Sequence, residues 1–131
     1  ALVADILNKP MGYVRGSNKS HGRQNRIEGA VREGMKVVVV EDLISTGGSS
    51  LEVVDALREA GCEVLGLVAI FTYGLKDSIK NFADKDCHFV TLSNYDALLP
   101  VAVEHNYIKE EALEKLKAWK VDPHDESWMT K

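Results

Sequence analysis

Apolar positions recur along the chain with a spacing that switches between helical and strand-like. Ala1 to Leu7 has helical spacing, Lys9-Pro10 breaks it, and Met11-Gly12-Tyr13-Val14 can form a short strand. From Arg15 to Ile27 neither period is present, which predicts a loop. Gly34 makes a turn, and Val37-Val38-Val39-Val40, too short for a helix, predicts a central strand buried on both faces and ending in Glu41-Asp42. After a glycine-rich stretch comes a helix whose Val53, Val54, Leu57 and Ala60 recur on one face until Gly61 stops it. Cys62 to Phe71 reads as the next strand. A helix over 75–82, a strand over 88–92 and a helix over 95–104 follow. Over 109–120 a last helix is amphipathic, because Ala112, Leu113, Leu116 and Trp119 share a face opposite Glu111 and Lys115, and Pro123 lies beyond it.

Strand, glycine-rich turn, helix and strand within about forty residues make a βαβ unit, whose crossover should be right-handed. No internal repeat, low-complexity tract or linker interrupts the pattern. The expected architecture is therefore one α/β domain over residues 1–131, with a mostly parallel sheet flanked by helices. A chain of this length can bury a core without a metal or disulfide staple.

Charge changes this picture at one place. The chain carries 16 basic and 20 acidic residues, a formal charge of −4. Arg15, Lys19, Arg23 and Arg26 stand with His21 in a stretch without a single acid, so +4 is concentrated there and −8 is left on the remainder. Such a loop, expected to be mobile, attracts anions. It has no aromatic residue between Arg15 and Ile27, which argues against nucleic acid as the partner. No window approaches the ~18 apolar residues of a membrane span, and no leader pattern is seen, so no membrane partner is expected and the cytoplasm is the expected compartment. Cys62 and Cys87 lack the spacing of a zinc site or a disulfide framework and are expected to be inert, buried thiols. His88, His105 and His124 have no ligand spacing; His105-Asn106 reads as a helix end, and Trp119 and Trp128 as packing residues. Ala1 has no capping residue or initiator methionine before it, so the chain is expected to start inside a helix, as an amino-terminally truncated piece.

The stretch from Val37 to Ser50, VVVVEDLISTGGSS, carries the most chemistry. Ligands of open α/β sheets settle at the carboxyl ends of the strands, and Glu41 and Asp42 stand there, able to accept hydrogen bonds from sugar hydroxyls. Thr46, Gly47, Gly48 and Ser49 allow a close turn that presents several N–H groups and hydroxyls at the start of a helix, where dipole and unpaired donors favour a phosphate. Serines and glycines in that position are common as plain turn and capping residues, and the adjacent acid pair is what tips the balance. No lysine follows the glycines, so this is not a nucleoside triphosphatase loop. Nor is it the GxGxxG of dinucleotide binders, whose ribose acid lies roughly twenty residues downstream.

In this order of strand, acid pair and hydroxyl-glycine turn, the segment resembles the phosphoribosyl pyrophosphate (PRPP) binding motif of the type I phosphoribosyltransferases. Arg15, Lys19, His21-Gly22 and Ile27-Glu28-Gly29 resemble the mobile catalytic loop of the orotate phosphoribosyltransferases, and IFTYGL from Ile70 to Leu75 resembles the strand that follows in one bacterial branch; the similarity extends to Asp125-Glu126-Ser127-Trp128. The resemblance implies a type I phosphoribosyltransferase core that transfers the phosphoribosyl group of PRPP to orotate, giving orotidine 5′-monophosphate and pyrophosphate in pyrimidine synthesis. It implies a PRPP site of Arg15, Lys19, His21, Glu41, Asp42, Leu43, Ile44, Ser45, Thr46, Gly47, Gly48 and Ser49. Within it Glu41 and Asp42 would hold the ribose hydroxyls, Thr46 to Ser49 the 5′-phosphate, and Arg15, Lys19 and His21 the pyrophosphate. Lys19, His21 and Asp42 are the implied catalytic residues, and Ser45 the implied orotate contact. Magnesium would be held mainly by the substrate, without a protein metal site, and the basic loop would reach across a homodimer, with glycines 16 and 22 as hinges. Two positions depart from the pattern: Gly16 stands where many members carry a lysine, and Tyr73 where some carry an arginine that contacts orotate. Family members are longer, so a preceding part would carry the pyrophosphate loop and much of the hood over the base. The phosphate motif alone leaves open transfer to another base, or a regulatory domain that binds PRPP without chemistry.

Overall fold

The computed structural model describes residues 1–16 and 26–127. After α1 (Leu2–Ile6) comes an antiparallel ribbon of β1 (Gly12–Val14) and β2 (Ile27–Gly29), in which Val14 faces Ile27. A separate three-stranded sheet then has the order β3 (Lys36–Ile44), β4 (Glu63–Thr72), β5 (Phe89–Asn94), and both pairings are parallel. The helices α2 (Gly48–Glu59) and α3 (Lys76–Asp84) make the two crossovers; α4 (Tyr95–Glu104) and α5 (Glu110–Val121) close the described chain. No helix among the described residues is long and apolar enough to cross a membrane.

The core lies on one side of the sheet. Leu51, Val54 and Leu57 of α2 and Phe82 of α3 pack with Val39, Leu67 and Ala69, and Phe82 meets the ring of Phe89 at 4.5 Å between centroids. Cys62 and Cys87 are free and buried in the same cluster, as the sequence led us to expect. Burial pushes the Cys87 thiol up, away from the reactive thiolate. A second cluster joins the last two helices to the end of β4: Tyr73 contacts Phe71, Tyr95 and Trp119, and the Tyr95 hydroxyl donates to the Leu116 carbonyl at 2.9 Å. Trp119 is thus a packing residue. Asn94 caps α4 by accepting from the Ala97 N–H at 2.9 Å, and His105 and Asn106, the latter at φ 59°, end it where the sequence suggests.

Four expectations need correction. β3 does not stop at Val40 but runs through Glu41 and Asp42 to Ile44, because Leu43 and Ile44 find partners in Phe71 and Thr72 of β4. Nor is it a central strand buried on both faces, since β4 lies between β3 and β5. Val38 and Val40 are half exposed, as are Ile70 and Val90, and Leu92 is 86% exposed. α2 and α3 cover the side of Val39, whereas Val40, Val68 and Val90, which stand abreast across the three strands, are each more than a third exposed. Ala60 is the exposed C-cap of α2; the apolar face is built by Leu51, Val54 and Leu57, with the buried Ser50 beside them. Ile27 belongs to a strand, not to the basic loop.

Candidate functional site

The end of β3 feeds directly into the turn before α2, and the acid pair stands at this junction. Side chains alternate along a strand, so Glu41 shares the side of Val39 and Asp42 the side of Val40. Glu41 is half-buried and its Oε2 accepts from the Ser50 hydroxyl at 3.0 Å. Asp42 is exposed, and its Oδ1 accepts from the Leu43 N–H at 2.7 Å. The two carboxylates therefore stand on opposite sides of the strand end, one held by α2 and one facing solvent. Ile44 is fully buried, and its carbonyl accepts from the Tyr73 N–H at 3.2 Å and the Thr72 hydroxyl at 3.3 Å, so it anchors the junction in the core. Leu43 and Ser45 are exposed beside it.

Next comes the turn. Gly47 is the N-cap of α2 and takes φ 86°, ψ 0°, a left-handed conformation suited to glycine. Its carbonyl accepts the Leu51 N–H at 2.9 Å, and the Gly48 N–H reaches the Thr46 hydroxyl at 3.5 Å. Apart from that long contact with Thr46 no side chain caps this helix, and no acid stands in its first turn, whereas Asp77 and Asp96 occupy the first turns of α3 and α4 and Glu110 and Glu111 that of α5. The orphan N–H groups and positive end of α2 thus face solvent among the exposed hydroxyls of Thr46 and Ser49, a setting that suits an anion.

Behind the turn, an added Cβ on Gly47 would lie 2.6 Å from Cε2 of Phe82, whereas on Gly48 its nearest neighbour is the Thr46 hydroxyl at 3.7 Å. Gly47→Ala is accordingly expected to lose about 2–4 kcal/mol of unfolding free energy, from left-handed strain and overpacking together. Gly48→Ala should stay within about 0.5 kcal/mol of wild type, as surface changes do. Urea denaturation of the pair reads the contrast, and equal stabilities would contradict this account of the turn.

The ribbon sets Arg26 against α2 and Arg15 next to Arg26. The Arg15 guanidinium pairs with Glu28 at 3.2 Å, the Arg15 backbone N–H donates to the Arg26 carbonyl at 2.7 Å, and the Arg26 guanidinium reaches Glu52 of α2 at 3.8 Å. Lys19, His21 and Gly22 lie outside the described residues, as does Trp128. Among the described residues, no three or more His, Cys, Asp or Glu side chains gather as a metal site. The sequence reading missed Ser50, although its hydroxyl falls inside the motif, in the first turn of α2. It also missed Asn81, whose amide reaches the Thr46 carbonyl from 35 positions away with no local signal to reveal it.

A family model described as a phosphoribosyl transferase domain matches residues 1–106. An orotate phosphoribosyltransferase of Bacillus pumilus is 60% identical over 129 residues, which are 98% of this chain and 61% of that protein. The crystal structure of an orotate phosphoribosyltransferase from Aeropyrum pernix superposes with a TM-score of 0.70 at 27% identity, over 82% of this chain and 58% of that one. A Mycobacterium tuberculosis orotate phosphoribosyltransferase in complex with PRPP matches with a TM-score of 0.57 at 25% identity, over 67% and 49% of the two chains. The chain spans about three fifths of the length of the curated relatives it matches.

Proposed function

Since the chain belongs to the phosphoribosyl transferase domain family, we propose that it is the catalytic core of an orotate phosphoribosyltransferase, making orotidine 5′-monophosphate and pyrophosphate from PRPP and orotate. The observation that carries the reading is an acid pair running straight into an uncapped helix start, which suits a ribose joined to a phosphate. The names of the relatives supply the base. A cytoplasmic homodimer is part of this proposal, with the basic loop of one subunit acting in the partner's site.

Transfer breaks the bond between C1′ of the ribose and the pyrophosphate oxygen, and a ring nitrogen of orotate takes its place on C1′. Positive charge grows on the sugar while the leaving group gathers negative charge, so stabilising that group is the main task. Glu41 and Asp42 orient the sugar through its hydroxyls, the α2 start holds the 5′-phosphate, and Ser45 lies next to both, where the base would sit. Arg15, Lys19 and His21 neutralise the leaving pyrophosphate, and Lys19 or His21 can donate a proton to it. Glu41 and Asp42 offer hard oxygen ligands of the kind magnesium takes, too few to form a cage, which fits an ion carried mainly on the donor's own oxygens and supplying charge neutralisation there.

Turnover by the full-length protein with orotate, adenine, hypoxanthine and uracil tests the choice of base. Orotate is expected to be consumed with release of pyrophosphate, and the other bases to be poor acceptors. Inert orotate beside an active purine would move the protein to the other branch of the family. PRPP binding without turnover of any base would make it a sensor.

A further inference from the structure

The geometry points to Asn81 as a positioning residue that sets the orientation of the phosphate-binding turn. The inference rests on the reading that this turn takes the 5-phosphate of PRPP. Asn81 lies on α3, and its Nδ2 donates to the Thr46 carbonyl at 3.0 Å. In a trans peptide the carbonyl and the following N–H point to opposite sides. A Thr46 carbonyl drawn toward α3 therefore turns the Gly47 N–H away from α3, toward the open side of the turn where the anion would sit.

Such a lock has work to do at this position. Gly47 is the residue type least resistant to rotation of its peptides, and from the front the turn is held only by the long 3.5 Å contact of the Gly48 N–H with the Thr46 hydroxyl. α3, in contrast, is firmly seated. Phe82 is 1% exposed and lies against Gly47 and Phe89, and the fully buried Ser78 hydroxyl donates to the Leu75 carbonyl at 2.7 Å. The amide next to Phe82 thus reaches the turn from a rigid base. It borders a groove of about 320 Å³ between α2 and α3, lined also by Gly48, Asp55 and Lys85. The Lys85–Asp55 ion pair at 2.8 Å ties the two helices together across it.

Ribose 5-phosphate, titrated calorimetrically into the full-length protein, is the probe. Asn81→Ala is expected to weaken its binding about three- to tenfold, the loss of one neutral hydrogen bond. Asn81→Asp, which keeps the shape but puts an acceptor against the Thr46 carbonyl, should weaken it further. Asn81→Gln should recover part of the affinity, and Lys80→Ala on the same helix should leave it unchanged. In steady state KM for PRPP should rise while kcat stays within about twofold, the signature of an interaction made equally in ground and transition states. The amide resonance of Gly47 should move in the unliganded Asn81 variants. Equal affinities in wild type, Asn81→Ala and Asn81→Asp would overturn the inference. So would losses of affinity that merely follow the melting temperature across all four variants. Should wild type bind ribose 5-phosphate and show the Asn81 effect yet turn over no orotate, the proposed activity would fall and the role of Asn81 would stand.

Discussion

Lys19→Ala is expected to lower turnover about 100- to 10,000-fold, the usual contribution of a positioned proton donor at a leaving group. Pyrophosphate leaves with charge that must be met as it forms, and Lys19 is central in a stretch whose only ionisable groups are cationic. The described flanks of that stretch, Arg15 and Arg26, are joined by a backbone hydrogen bond, and Arg26 reaches Glu52 in the second turn of α2. The two described ends of the stretch thus stand together beside α2. PRPP affinity should fall far less than turnover, because the charge to be stabilised is largest in the transition state. Pyrophosphate release measured at saturating PRPP and orotate decides the matter, and turnover at the wild-type level would remove Lys19 from the reaction.

A comparable loss is expected at the other end of the sugar. The double replacement Glu41→Gln and Asp42→Asn should reduce kcat/KM for PRPP about 100- to 10,000-fold, as two hydrogen bonds between hydroxyls and charged acceptors are weakened together. Each single change should cost less, and the two should not simply add, since they act on adjacent hydroxyls of one ring. Glu41→Gln keeps an oxygen for Ser50, so thermal stability should hold in that variant while activity falls. A donor lacking the 2-hydroxyl would respond less to the double change; an equal response would mean that the acids do not touch that hydroxyl. Mixing this double variant with Lys19→Ala then asks whether the loop acts across subunits. Random exchange gives up to about a quarter of wild-type activity if it does and none if each loop serves its own site.

Much of this site is legible in the sequence because it is local. Acid pair, turn and helix start lie within fourteen consecutive residues, and each residue type states its use: carboxylate, hydroxyl, glycine. The helix over 95–104 is found with the same limits, since Asn94 and His105-Asn106 punctuate both ends. What sequence reasoning misses is set by distance. Pairing with Phe71 and Thr72 extends β3 past its charged residues, and β2 is too short to carry a period, although its partner β1 falls where Met11 to Val14 suggests a strand. Asn81 meets Thr46 only because α3 packs beside α2. The run of four valines says that burial is favourable on both sides of β3, but what lies over each side is decided by elements elsewhere in the chain.

That last point governs how the polypeptide behaves in water. Val40, Val68, Ile70, Val90 and Leu92 form a continuous oily strip across three parallel strands, and each such side chain is worth about 1.5–3 kcal/mol when fully withdrawn from solvent. A sheet left in this state sticks to its own copies. The 131 residues produced by themselves would cluster as they become concentrated, and would need a fused carrier or a mild detergent to stay dispersed.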